Sequence, residues 1–471
     1  MEILVLLTKI YSIIQVIAVL FFPLNAAFAV EDASMIITDG IILTMDENKT
    51  IIRGGVIVIR DEKIIAVGHK DLLQHYRSNI ILDVDGDIVM PGLINTHTHI
   101  SMSVFRSLGE DISNRLHKYL FPLEKQFVDE DMVRIGAELG ALEHIKGGTT
   151  TLADMYYFEH QVADVIDRFG LRAVLGATIM SNRTPDAANP EQAIKNALAF
   201  IKKYKNHPRI TPAFAPHAPY TNDTKTLQKI ARLSLKLEVP VLIHLAESGR
   251  EVKVIKARSG LSPVAYMKQI GALNANLTAA HLIQVSEEDI KLLKTADVGI
   301  AHNMSANIKS AKGVAPALKM YNQGLRIGLG TDGPMSGNTL SIIDEFGQVA
   351  KLHKLVNKDR EAMPAVDVIE MATMGGARAL HMEHDIGSIE VGKLADIIVI
   401  DTNTPNMVPI YDEYAALVYS AYATNVRHTI VNGKLIMRNR KILNFSETAI
   451  IKKVIKYSER IKKTVQLINM K

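Results

Sequence analysis

The chain has 471 residues, 48% of them hydrophobic and 22% charged, enough for one large globular unit and a smaller one. A net charge of +4 is too slight a basic excess to point to nucleic acid as a partner. With no cysteine, disulfides, thiolate ligands and a cysteine nucleophile are excluded, so any metal must be held by histidine or carboxylate.

In chain order, Lys9 precedes an apolar run over residues 10–22, Pro23 ends it, and Ala27-Phe28-Ala29 has the form of a cleavage site. The run falls short of the roughly 20 apolar residues that span a membrane. Residues 1–29 are therefore expected to be a signal peptide, cut after Ala29, giving a periplasmic or secreted protein with no stable membrane span. A start at Met35 would instead leave the protein in the cytoplasm. Residues 30–89 read as short β-branched strands separated by Gly and Asp turns, and residues 385–445 read the same way. Each end alone has few strands to bury a core, so the two are expected to form one small β-sandwich. Residues 446–471 carry lysines interleaved with apolar residues, the pattern of a helix with one solvated face.

Between the ends, residues 90–384 alternate strand-like and helix-like runs. The strand candidates are 88–99, 149–154, 172–178, 210–216, 241–246, 277–282, 298–302 and 325–331. Eight such units predict a closed (β/α)8 barrel of the TIM type, within the α/β class. Most runs end in residues that can do chemistry: His97 and His99, Asp154, His217, His244 and Glu247, His281, His302 and Asp332. The C-terminal ends of barrel strands are where such folds place their active sites, which is where these residues fall.

His97 and His99 are two apart on a strand, so their imidazoles share one side. A bare H-x-H is more often a surface pair, but this one opens the barrel series and has partners downstream. His244 and Asp332 end later strands, and three imidazoles with one carboxylate suit Zn2+ or another divalent first-row metal. Such a site needs an open position for water, whose pKa the metal lowers to roughly 7. Asp332 can serve as ligand, as base for that water, or as both in turn. Glu247, three residues after His244, is placed to shuttle a proton. His281 is placed to polarise the water or the substrate. Asp154 and His302 read as supporting structure.

Together these residues resemble the amidohydrolase superfamily, and within it the 5'-methylthioadenosine/S-adenosylhomocysteine deaminases and the triazine hydrolases. The likeness runs over about residues 35–440. It includes Thr96-His97-Thr98-His99, Gly147-Gly148-Thr149, His244-Leu245-Ala246-Glu247, Thr331-Asp332-Gly333-Pro334 and Gly392-Lys393-Leu394-Ala395-Asp396. The resemblance implies metal at His97, His99, His244 and Asp332, and proton transfer at Glu247 with support from His281. It implies that Glu124 grips the ribose hydroxyls and that His217 binds substrate. A carboxylate can indeed accept two hydrogen bonds from a vicinal diol. Binuclear relatives carry a modified lysine where this chain has His217, which implies a single metal ion, Zn2+. The chain departs from the family at Arg115, where a Trp near the nucleobase is usual, so Arg115 becomes a candidate substrate contact. Family members are often dimers or tetramers, so a homo-oligomer is implied by the resemblance alone.

The reaction expected is hydrolytic deamination of an amino-substituted heterocycle, most simply an adenosine-type nucleoside. Guanine deamination or dechlorination of a triazine on the same scaffold are the alternatives. A metal-free binding protein is a third, against which the full set of ligands speaks.

Overall fold

A computed structural model describes residues 30–112 and 115–469. The expected signal peptide lies outside the described residues. The middle of the chain forms an eight-stranded parallel sheet: β1 (Leu93–Thr98), β2 (Thr149–Tyr156), β3 (Arg172–Ile179), β4 (Ile210–Pro216), β5 (Val241–Leu245), β6 (Leu277–His281), β7 (Gly299–His302) and β8 (Arg326–Leu329). Neighbours in space are neighbours in sequence, from β1 through β8. The ring is completed between β8 and β1, where Asp332 N donates to His97 O at 3.0 Å and Thr96 Oγ1 to Leu329 O at 2.8 Å.

Alternation along the strands sorts the barrel into two cores. Leu152, Leu175, Phe214 and Ile243 join the large cluster that includes Val162 and Ile166 of the surrounding helices. Ile94, Ala153, Val174, Ala213 and Leu242, on the opposite face of the strands, form a separate inner cluster. The helices start on side-chain caps: Asp223 accepts from Thr226 N, Ser286 from Asp289 N and Ser341 from Asp344 N. Thr224–Leu237 shows the usual logic, burying Leu227, Ile230, Ala231 and Ser234 at helical spacing.

The first predicted run, 88–99, is divided between two sheets. Ile88–Pro91 belongs to a nine-stranded sheet and the chain enters the barrel only after Gly92. A Cβ on Gly92 would lie 2.1 Å from Thr150 Oγ1, so the crossing point has no room for a side chain. Both chain ends, as expected, contribute to this second unit, whose strands are hydrogen-bonded into one nine-stranded sheet. Ile88–Pro91 pairs antiparallel with Ile397–Ile400 from the C-terminal part and, on its other side, lies beside Met35–Leu43. Ile37, Ile57, Val89, Ile397, Val399 and Ile430 share one apolar cluster across the join.

Sheet and barrel are clamped by a buried ion pair. Arg172, at the start of β3, donates Nε to Asp396 Oδ2 at 2.8 Å and Nη2 to Asp396 Oδ1 at 3.2 Å and Asn432 Oδ1 at 2.9 Å. The last described element is the helix Glu447–Asn469, and no helix among the described residues is long and apolar enough to cross a membrane.

Candidate active site

The expected chemical residues converge at the C-terminal ends of the strands. The rings of His97 and His99, at the end of β1, lie 4.9 Å apart, and His244 of β5 lies 4.8 Å from His97. Two of these imidazoles are oriented by backbone. His99 Nδ1 donates to Met155 O at 2.6 Å and His244 Nδ1 to His217 O at 2.7 Å. A carbonyl only accepts, so in both rings Nδ1 carries a proton and Nε2 faces the centre of the cluster. Against burial, the Asp332 carboxylate raises the His99 imidazole to about 9, so a cation bound there would take the place of the proton on its Nε2.

Asp332 follows β8 with a left-handed backbone, φ 59°, and turns its Oδ1 to within 3.2 Å of His99 Nε2 and 3.7 Å of His97 Nε2. The close approach of β8 to β1 is tight: a Cβ on Gly330 would fall 2.2 Å from Asn303 Oδ1 and 3.1 Å from His97 N. Burial works against ionising Asp332, but the neighbouring His97 and His99 imidazoles hold its carboxyl well below the usual range. Burial pushes His97 down to about 4 and so keeps it neutral, as a ligand must be.

Ligand atoms of His97, His244, His281 and Asp332 all lie within 4.8 Å of one another. His99 Nε2 adds a further nitrogen, 3.2 Å from His244 Nε2. His97 Nε2 is buried with no hydrogen-bond partner, which a bound cation would supply. The donor set, imidazole nitrogens with one carboxylate oxygen, therefore fits a divalent metal. One difference from expectation is that His281 comes as close to the centre as the ligands do. Its backbone is left-handed, φ 77°, and its Nδ1 meets Asn307 Oδ1 at 2.8 Å.

Glu247 stands two residues beyond β5, with Oε1 3.8 Å from His281 Nε2 and an ion pair to Lys312. Burial pushes its carboxyl up, yet His281 and Lys312 outweigh burial and hold it below its ordinary value. Glu251 fixes the turn that carries it, its two oxygens accepting from Ala246 N and Glu247 N, each at 2.9 Å. Lys312 and Asn307 were not anticipated. Asn307 lies on the short helix Met304–Lys309 after β7 and Lys312 in the loop that follows it, and their partners are far away in sequence.

Glu124, on the helix Phe121–Phe127, accepts from Tyr156 Oη at 2.8 Å, and burial pushes it up to about 7. Tyr156 ends β2 and its ring lies 6.2 Å from that of His99, which ties Glu124 to the cluster. Tyr156 was also missed, as one Tyr among many in the sequence. His217, after β4, lies 4.7 Å ring to ring from His244, and burial keeps it neutral with a pKa of about 4. Arg115 donates from Nη1 to Met335 O at 2.6 Å, on the loop that follows Asp332. Asp154 accepts from Ile100 N at 2.5 Å and His302 meets His353 at 3.2 Å. Access is graded, with His97, His244, His281 and Asp332 buried and Glu124, His217, Glu247 and Lys312 partly open to solvent.

An eight-stranded parallel barrel that gathers imidazoles and an aspartate at the C-terminal ends of its strands defines a metal-dependent hydrolase. Residues 88–436 match the model of the Amidohydrolase family, and the chain belongs to that family. Among its relatives, the 5-methylthioadenosine/S-adenosylhomocysteine deaminase of Syntrophobacter fumaroxidans is 39% identical over 425 residues, covering 90% of this chain and 97% of that one. The 5'-deoxyadenosine deaminase of Methanosarcina acetivorans is 36% identical over 423 residues, covering 89% and 96%. Among solved structures, a zinc-bound adenosine deaminase from Xanthomonas campestris superposes with a TM-score of 0.90 at 29% identity, covering 92% of this chain and 99% of that one.

Proposed function

We propose that the protein hydrolytically deaminates an adenosine-type nucleoside, 5'-methylthioadenosine or S-adenosylhomocysteine, and releases ammonia. The observation that carries this reading is the placing of Glu247 and His281 together beside the His97, His99, His244 and Asp332 cluster. One divalent ion, Zn2+ by analogy with the Xanthomonas structure, would be held by those four residues, with His281 near enough to contribute. When bound, such an ion acts as a Lewis acid and brings the pKa of a water down to roughly 7.

The chain's own groups handle substrate and protons. Glu124 accepts two hydrogen bonds from the vicinal hydroxyls of the sugar, and neutral His217 offers a further hydrogen bond. Water adds to the ring carbon that bears the amine. Glu247, ionised beside Lys312, accepts one proton of that water and passes it to the adjacent ring nitrogen, and Asp332 takes the other, which is then available to the leaving amine. The amine leaves as ammonia after a second proton transfer, with His281 stabilising the oxygen that stays behind. By resemblance, the pairing of Glu247 with His281 favours deamination over dechlorination, since some dehalogenating relatives lack it. Residues 1–29, read as a signal peptide, go with a periplasmic site of action.

The test is ammonia release by zinc-loaded protein from adenosine, 5'-methylthioadenosine, S-adenosylhomocysteine, guanine and an amino-triazine. Turnover of an adenosine-type compound is expected. Turnover confined to guanine or the triazine would overturn the substrate assignment and keep the hydrolase.

A further inference from the structure

The C-terminal helix Glu447–Asn469 lies against the segment that carries Glu124. Its buried stripe is Ile450, Tyr457 and Ile461, spaced seven and four apart. Lys453 pairs with Glu138 at 2.7 Å and Glu447 with Lys146 at 2.8 Å, which fixes the helix along Glu130–Lys146. Beyond these anchors it reaches the turn Leu116–Leu120 and the helix Phe121–Phe127. Tyr457 Oη donates to Phe127 O at 3.2 Å, Gln126 Nε2 donates to Thr464 Oγ1 at 3.2 Å, and Tyr119 Oη donates to Asn469 Oδ1. The Arg460 guanidinium lies over the rings of both Phe127 and Tyr457.

Three hydrogen bonds and a stacked cation thus bracket Glu124 on both sides in sequence. On its other side Glu124 is held by the hydroxyl of Tyr156, which belongs to the barrel wall. A short helix on a loop has little stability of its own. Placing one carboxylate against two sugar hydroxyls nevertheless demands position to a fraction of an ångström.

We infer that the C-terminal helix is part of the substrate site: through Tyr119, Gln126 and Phe127 it sets the position of Glu124, and Tyr457 and Thr464 are positioning residues for recognition of the sugar diol. The inference rests on the nucleoside reading above and adds a dependence on residues more than three hundred positions from Glu124.

The experiment compares adenosine with 2',3'-dideoxyadenosine on the full chain. The variants are Tyr119→Phe/Tyr457→Phe/Thr464→Val, which removes the three bonds and little volume, and Glu124→Gln. The triple variant should lose about fivefold in kcat/KM for adenosine, the scale of one ordinary hydrogen bond, through KM rather than kcat. Its zinc content and its kcat/KM for the dideoxy compound should stay at the wild-type values. Should the triple variant not fold, Tyr457→Phe alone should show the same selective loss in smaller measure. Equal losses on both nucleosides would make the helix a general brace and overturn the inference. So would an unchanged triple variant when Glu124→Gln still shows a diol-specific loss. Absence of turnover on either nucleoside by the wild type would overturn the nucleoside reading first, and this inference with it.

Discussion

At the level of single residues, the site divides its carboxylates by environment. Glu247 is held ionised by Lys312 and His281, whereas Glu124 and Glu251 are pushed up to about 7 by burial. Glu247→Gln should therefore keep its metal and fold but lose kcat by roughly 10²–10⁴, the usual worth of positioned proton transfer. Lys312→Met should lower kcat in the same direction by less, and Lys312→Arg should restore most of it; steady-state rates with metal analysis check both. Glu251 also makes a prediction for stability. Its folded-state pKa stands at about 7 against an ordinary 4.5, so between those values the native state holds the extra proton. The stability this confers is present below 4.5 and is lost as pH rises through 7. The melting-temperature deficit of Glu251→Gln should accordingly shrink between pH 5 and pH 8, and a deficit that grows would refute the assignment.

Among the elements, what was legible in the sequence was what local pattern can carry. Each of β2 to β8 begins and ends within about two residues of its apolar run, because a buried parallel strand needs a near-continuous β-branched stretch whatever its neighbours. His97, His244, His281 and Asp332 could be placed because strand ends in a barrel share one rim. The division of the first run at Gly92 was not legible, since both halves are apolar and only the partner strands differ. Lys312, Asn307 and Tyr156 act across the rim on residues of other strands, and Glu124 sits on the short helix Phe121–Phe127, which packs against the last helix rather than within the strand–helix alternation. The clamp between elements gives a further prediction. Arg172 and Asp396 have side chains only 3% exposed, so Asp396→Ala would strand a buried guanidinium. A loss of about 3–5 kcal/mol in urea unfolding is expected, with a far smaller loss for Asn432→Ala, which removes one of its neutral partners.

For the molecule as a whole, a metal bound by His97 and His99 of β1, His244 of β5 and Asp332 after β8 would cross-link three separate parts of the barrel. Ligand that binds only the folded state stabilises it by mass action, about 2.7 kcal/mol at a hundredfold excess over Kd. Added Zn2+ should therefore raise the melting temperature of the wild type, chelation should lower it, and His97→Ala should respond to neither. The second sheet has a consequence of another kind, in time rather than in space. Ile88–Pro91 leaves the ribosome early, yet its partner strand begins only at residue 397. At about 5–20 residues per second the wait is some tens of seconds, during which the nascent chain carries an apolar strand with an open edge. Any product of aborted translation that stops short of Ile400 keeps that edge unpaired, a template for pairing with other chains.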